Sequence, residues 1–435
     1  MGPDFNMEKL EEFLHLNKSV KFIRLQWVDY SGVLRAHFVP VGRCLQIANG
    51  DDTVHLSGNS MTTPISIAPD VIPLHEYHER WDLLPDWSSL RRCGLNTGHA
   101  VAMSFVDQKQ THARFDKCPR MLLTRALERF EKQWRATVTI GFEIEFVLLD
   151  KSNESIKPLD RPTGYSSTAG LRGETLDLVE EIMSALEKSS IAVHHFNTEA
   201  EDQLKIALAA QPVLQAIDSL VLAQETIRTI CTRRNIKAAM TPKSTFSGPS
   251  NGLHLHLSLH TLMGPRHFIA GILSHMTSLY AFGMANYDSY VRSNNNAAGE
   301  WIGFGTNNRD LPVRRIDEQH WEFRMMDSTA NPYLFTAAVL FAGMDGLKNY
   351  TKLIWQDCTL FPDLMSGHML AAHGMVKAMP ITLKGALDCL KKDVAFKDWI
   401  GEALLKYFLS IKDKEVEQFG KMTEDKRRLR FLEYF

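Results

Sequence analysis

The sequence predicts a mixed α+β chain of two domains, and three observations carry that expectation. Its 435 residues exceed what one ordinary hydrophobic core serves. Helical spacing and strand-like alternation of apolar residues interleave along it. Three short segments, Gly141–Phe146, His254–Ser258 and Trp321–Arg324, read as strands with one apolar and one polar face. Side chains alternate along a strand, so Glu143 and Glu145 share one face while Phe142, Ile144 and Phe146 take the other. His254, His256 and Ser258 repeat the arrangement, as do Glu322 and Arg324.

The elements follow in order. Residues 7–18 have helical spacing, and Val20–Val28 alternates like a strand. Asp29-Tyr30-Ser31-Gly32 supplies a turn before Val33–Val39, which makes a hairpin. A second strand-rich stretch runs from Asp82-Leu83-Leu84-Pro85-Asp86 through His99–Phe105, so the first hundred residues read as a small mixed domain. Cys118-Pro119-Arg120 opens a helix with proline in its first turn. The boundary falls just before it, giving domains 1–114 and 115–435. Further helices are expected at Thr175–Lys188, Pro212–Arg234, His267–Ala285, Pro332–Asn349 and Leu383–Leu390, with strands at Val138–Leu149, Leu253–His260 and His320–Met325. Loops at 246–252 and 293–300, rich in Asn, Gly and Ser, border the polar strands.

Composition narrows the function classes. Hydrophobic content of 44% and charged content of 23% fit a globular protein. With 49 basic and 51 acidic residues, nothing argues for nucleic acid or an anionic membrane surface. No apolar run reaches transmembrane length, and the N-terminus lacks the pattern of a signal peptide. The six cysteines form no Cys-x-x-Cys pair, which points to reduced thiols in a cytoplasmic enzyme.

A polar-faced strand alone is most often a solvated sheet face. Three together, with carboxylates, imidazoles and arginines, suit a hard cation and phosphate. Magnesium and manganese prefer oxygen ligands, and manganese-like sites tolerate imidazole. Arg292, Arg309, Arg314, Arg315 and Arg324 offer guanidinium forks for phosphate or carboxylate groups. Metal plus arginines points to phosphoryl transfer or an acyl phosphate. The P-loop pattern is absent.

These motifs resemble those of the glutamine synthetases. Gly141–Phe146 is similar to their GxExEF strand, and Gly252–Leu259 to their G-hydrophobic-HxHxSL strand. Trp321–Arg324 with Asn331-Pro332-Tyr333-Leu334 resembles the E-x-R…NPYL segment. Asn308-Arg309 with Val313-Arg314, Tyr290–Arg292 and Gly299-Glu300 look like further family loops. The matches run in order from about residue 20 to 420, and the short chain resembles the type I-like branch.

The resemblance implies a small N-terminal β-grasp domain on a larger catalytic domain with a curved antiparallel sheet. It implies active sites between subunits of a ring-shaped homo-oligomer, ATP and Mg2+ or Mn2+ as cofactors, and small acid and amine substrates. Carried over by position, Glu143, His254 and Glu322 would hold one metal, with Glu145 and Glu199 at the other. Arg309 and Arg314 would stabilise the moving phosphoryl group, with Lys243 and His256 near the nucleotide. Glu145, Gly252, Arg292 and Arg324 would meet the carboxylate substrate, and Glu300 would take the amine's proton.

Departures cluster at the second metal. The family uses two glutamates in a segment like E-x-x-x-G-Q-x-E. Gln203 matches its glutamine, but Lys205 stands where the final glutamate is expected. The earlier glutamate falls on Thr198 at one common spacing, or on Glu199 with a shortened loop. Leu56–Ser60 replaces the loop whose aspartate helps bind ammonium, His320 stands where an arginine is common, and Lys243-Ser244 replaces a lysine–proline pair. The reading is a carboxylate–amine ligase with an acceptor other than ammonia. The alternatives are a structural or regulatory assembly without ligase activity, or a site turned to related phosphoryl or acyl transfer.

Overall fold

The computed structural model describes residues 2–65, 80–108, 116–150, 164–200, 203–245, 248–261, 264–294 and 297–435. The 114/115 domain boundary lies outside the described residues.

Two sheets organise the described chain. The N-terminal sheet has six strands, ordered Leu34–Pro40, Phe22–Val28, His99–Asp107, Arg80–Pro85 and Val54–Ser57, with Arg91–Arg92 also paired to the His99–Asp107 strand. Its Phe22–Val28 and His99–Asp107 strands run parallel, and the remaining pairs are antiparallel.

The larger sheet has nine strands. Its path runs Phe304–Thr306, Val313–Arg315, His320–Phe323, Leu253–His260, Thr137–Asp150, Gln203–Leu208 and Val193–Thr198. Gln211–Pro212 and Ile236–Ala239 also pair with the Thr137–Asp150 strand. The expected antiparallel order holds except at one edge, where Phe304–Thr306 and Val313–Arg315 are parallel. Asn307 adopts the left-handed region at φ 56°, and residues 307–312 carry the chain back to start the neighbouring strand in the same direction.

The apolar face anticipated behind the glutamates is buried: Phe142, Ile144 and Phe146 are at most 1% exposed. Burying each such side chain stabilises the fold by about 1.5–3 kcal/mol. Helices Pro119–Trp134, Val213–Arg233 and Pro332–Lys348 contribute buried residues to the same continuous core. Asn331 caps the last of these by accepting from the Tyr333 and Leu334 amides, and Pro332 fits its first turn.

The helix expected at His267–Ala285 is two helices, Arg266–Ser274 and Met276–Gly283. His275 at the break has φ −101° and ψ 9°, and its Nδ1 lies 2.8 Å from Asp393 Oδ2. Unassigned from sequence were Val41–Asn49, the edge strand Val193–Thr198 and three C-terminal helices, Val394–Ile400, Glu402–Phe419 and Glu424–Leu432. Two buried polar ties join the halves of the chain. Arg120 Nη2 lies 2.8 Å from both Asp86 Oδ2 and Asp218 Oδ2. Glu415 accepts from Lys412, Ser31 and the Ile65 amide. No helix among the described residues is long and apolar enough to cross a membrane.

Candidate active site

Strand register assembles the site. His254 pairs with Glu143, His256 with Glu322, Glu145 with Lys205, and Arg314 with Glu322. Residues directly opposite each other point to the same face, so these side chains converge.

Glu143, His256 and Glu322 each offer a ligand atom, and these atoms all lie within 4.8 Å of one another. Among the described residues this is the single group of three or more His, Cys, Asp or Glu that closes so tightly. His256 Nε2 is buried, lies 3.3 Å from Glu143 Oε1 and makes no hydrogen bond of good geometry. Its Nδ1 is 3.0 Å from His320 Nε2. Burial, then the neighbouring His256, holds the His320 imidazole below its ordinary value. A lone pair on His256 Nε2 is what metal ligation at this position requires. Two carboxylates and an imidazole fit a magnesium- or manganese-like ion.

His254, the ligand implied by the resemblance, sits between the two carboxylates. Its Nδ1 is 3.2 Å from both Glu143 Oε2 and Glu322 Oε1, and its Nε2 is 3.9 Å from Glu145 Oε1. Burial and Arg324 push its proton off, but the three surrounding glutamates outweigh them and raise its pKa. Glu143 and Glu322 shift the other way. Burial opposes ionisation of both, yet the imidazoles and nearby cations hold each carboxyl well below the usual range.

Arg315 Nη2 lies 3.3 Å from Asp357 Oδ2, and the other four arginines divide into three groups. Arg314 Nη1 is 2.8 Å from Glu322 Oε2, and Arg324 Nη1 is 2.6 Å from Glu322 Oε1. Arg292 is fully buried, giving Nη1 to the Met326 carbonyl at 2.8 Å and Nη2 to the Arg324 carbonyl at 3.0 Å. Arg309 is exposed and has no ion pair with a described residue. Gly252 leaves the room these groups need: a Cβ there would come within 2.5 Å of His254 Nε2 and 2.8 Å of Arg292 Nη2. Its amide donates to Glu145 Oε2 at 2.6 Å.

The second cluster departs from a metal site. Lys205 Nζ lies 2.5 Å from Glu199 Oε1 and 3.2 Å from Glu143 Oε2. Of the two register candidates, Glu199 therefore reaches the site. Thr198 is buried elsewhere, donating to the Gly164 and Ser167 carbonyls. Burial disfavours the Lys205 ammonium, but Glu143 and Glu199 more than offset it and raise its pKa. Asn197, missed from sequence, donates to Glu199 Oε1 at 2.8 Å. Recognising Val193–Thr198 as a strand would have found it, because Asn197 pairs directly with Lys205. Gln203 instead braces the 250–252 loop through the Ser250 carbonyl and Asn251 Oδ1.

Two further residues implied by the resemblance make no contact with the carboxylate cluster among the described residues. Glu300 is exposed and has no side-chain hydrogen bond or ion pair with a described residue. Gly299 before it has φ +85° and packs so tightly that a Cβ would meet Pro312 Cδ at 2.5 Å. Lys243 is apart from the carboxylates: its Nζ donates to the Gly248 carbonyl, and burial followed by Arg428 lowers its pKa.

Comparison with known proteins bears on the family. Residues 116–431 match the family model described as glutamine synthetase, catalytic domain. Protein fluG of Emericella nidulans is 29% identical over 437 residues, 98% of this chain and 50% of that protein. The chain thus spans about half the length of that relative. Glutamine synthetase of Methanococcus maripaludis is 28% identical over 458 residues, covering 98% of this chain and 99% of the relative. Gamma-glutamylpolyamine synthetase GlnA3 of Streptomyces coelicolor is 25% identical over 437 residues, covering 94% and 92%. The solved GmaS/ADP complex shares the fold, with a TM-score of 0.81, 24% identity and coverage of 97% and 98%. The chain belongs to the glutamine synthetase catalytic-domain family, and its catalytic domain is that of a carbon–nitrogen ligase.

Proposed function

We propose that this protein joins the γ-carboxylate of glutamate, or of a similar acid, to an amine other than ammonia, using ATP and passing through an acyl phosphate. The observation that carries the reading is the closed donor set of Glu143, His256 and Glu322, with Arg314 and Arg324 fixed on the Glu322 carboxylate. A divalent ion bound there would neutralise phosphate charge. The chain's own groups have separate tasks. Arg309 and Arg314 stabilise negative charge as the acid's oxygen attacks the terminal phosphorus and the bond to ADP breaks. Arg324 and the Gly252 loop orient the acid. Glu300 takes the proton released when the amine nitrogen attacks the acyl carbon and phosphate leaves.

The acceptor is assigned from what the chain lacks and from likeness to GlnA3. Leu56–Ser60 offers no carboxylate suited to ammonium, and the named product class of GlnA3 is a γ-glutamylpolyamine. The same reading has the protein acting in the cytoplasm as a ring-shaped homo-oligomer. The test is ADP release with Mn2+, glutamate and a panel of amines. Turnover is expected with at least one amine above the ammonia rate, and its loss in Glu143→Ala. No turnover with any amine, together with no ATP binding, overturns the proposal.

A further inference from the structure

We infer that the Lys205 ammonium is a built-in cation standing in place of a second divalent ion, so that each site works with one divalent ion fewer. The inference rests on the ligase reading only in taking a first divalent ion to be bound.

Position supports it first. Lys205 lies on Gln203–Leu208, directly opposite Glu145 on one side and Asn197 on the other. Its side chain is 12% exposed, and its Nζ lies 2.5 Å from Glu199 Oε1 and 3.2 Å from Glu143 Oε2. Here Glu199 is held twice, by Lys205 and by Asn197 Nδ2 at 2.8 Å. Glu145 is held by the Gly252 amide at 2.6 Å.

Coordination supports it next. Mg2+ requires oxygens at about 2.0–2.1 Å in near-octahedral order. The lone pairs that could supply them face an ammonium, which has three donors and no acceptor. The tight donor set is Glu143, His256 and Glu322, which shares only Glu143 with the Lys205 cluster.

Charge closes the argument. A glutamate at position 205 with a divalent ion beside it would sum to one positive charge, and lysine alone carries the same charge. The field around Glu143, Glu145 and Glu199 is therefore preserved while an exchangeable ion is replaced by a covalently fixed one. Such a cation is present at any metal concentration and needs no ion to order Glu199.

The test is Mn2+ stoichiometry on the full chain, read by calorimetry and by the paramagnetic resonance of free Mn2+, with no acid, amine or nucleotide present. Lys205→Glu is expected to bind one Mn2+ more per chain than wild type. Equal counts in the two proteins overturn the inference. Should Lys205→Glu fail to fold, Lys205→Met supplies the second reading. Its melting temperature in EDTA is expected to fall below wild type and to recover with Mn2+. A Lys205→Met melting temperature in EDTA equal to wild type, or a loss that Mn2+ does not restore, also overturns it. Because the count needs no turnover, a chain inactive as a ligase still answers, and a competent ligase with equal counts sinks this inference alone.

Discussion

Arg314 Nη1 lies 2.8 Å from Glu322 Oε2, across strands in which the two residues are directly paired. The carboxylate is 1% exposed and has a second guanidinium, that of Arg324, on its other oxygen. Glu322 is thus positioned before any ligand arrives.

Replacing Glu322 with Gln is expected to destabilise the fold by roughly 3–5 kcal/mol, because two guanidiniums and His254 lose a buried counter-charge. Urea denaturation of the two proteins measures this.

Arg314→Gln tests the catalytic assignment. Losing a donor aimed at developing phosphate charge is expected to reduce kcat by about 10²–10³-fold. Mn2+ affinity should hold or rise, since a cation beside Glu322 is removed. Steady-state kinetics and a Mn2+ titration separate the two effects.

Glu300→Gln should behave differently. An exposed residue without ion pairs among the described residues leaves stability within about 0.5 kcal/mol of wild type when changed. Rate should fall by about 10²-fold if the carboxylate accepts the amine's proton. Unchanged melting with reduced kcat is the expected signature.

Gly252→Ala introduces a methyl group 2.5 Å from His254 Nε2 and 2.8 Å from Arg292 Nη2. The expected cost is about 1–3 kcal/mol, with weaker Mn2+ binding because His254, which lies against both Glu143 and Glu322, shifts with them. Calorimetric titration and thermal melting report both.

The His275–Asp393 pair gives a pH dependence away from the metal ligands. Burial opposes the charge on His275, but Asp393 and Asp345 raise its pKa above the ordinary 6.5. Burial opposes ionisation of Asp393 too, yet His275 and Ser278 bring its pKa below 3.8. The histidine's contribution is complete below 6.5 and disappears as pH rises through its folded value. The aspartate's is complete above 3.8 and disappears as pH falls through its own. The stability difference between wild type and His275→Gln should therefore be largest between pH 3.8 and 6.5. Denaturation at several pH values checks it.

The polar strands were legible because strict alternation fixes which residues share a face. Glu143, Glu145, His254, His256 and Glu322 could thus be grouped before any coordinates. Val193–Thr198 was harder, because His194, His195 and Asn197 break the apolar alternation of an edge strand. Without that strand Asn197 had no place, and Glu199 could not be chosen over Thr198. Arg292 illustrates another limit. The resemblance implies a substrate contact for it, and its backbone-carbonyl partners depend on where the chain returns after Arg324. The His275 break was hidden because both helices keep one apolar spacing, while the Asp393 that meets the break is far along the chain.

The contact between Gly299 and Pro312 has a mechanical consequence. Tyr280 donates to the Ala298 and Gly299 carbonyls, and the Arg324 amide donates to the Pro312 carbonyl. The segment bearing Glu300 and the segment bearing Arg309 are therefore bolted to one base, like two teeth cut from a single jaw. Under the proposed reaction, the group that takes the amine's proton and a group on the phosphoryl side thus stand on one shared support.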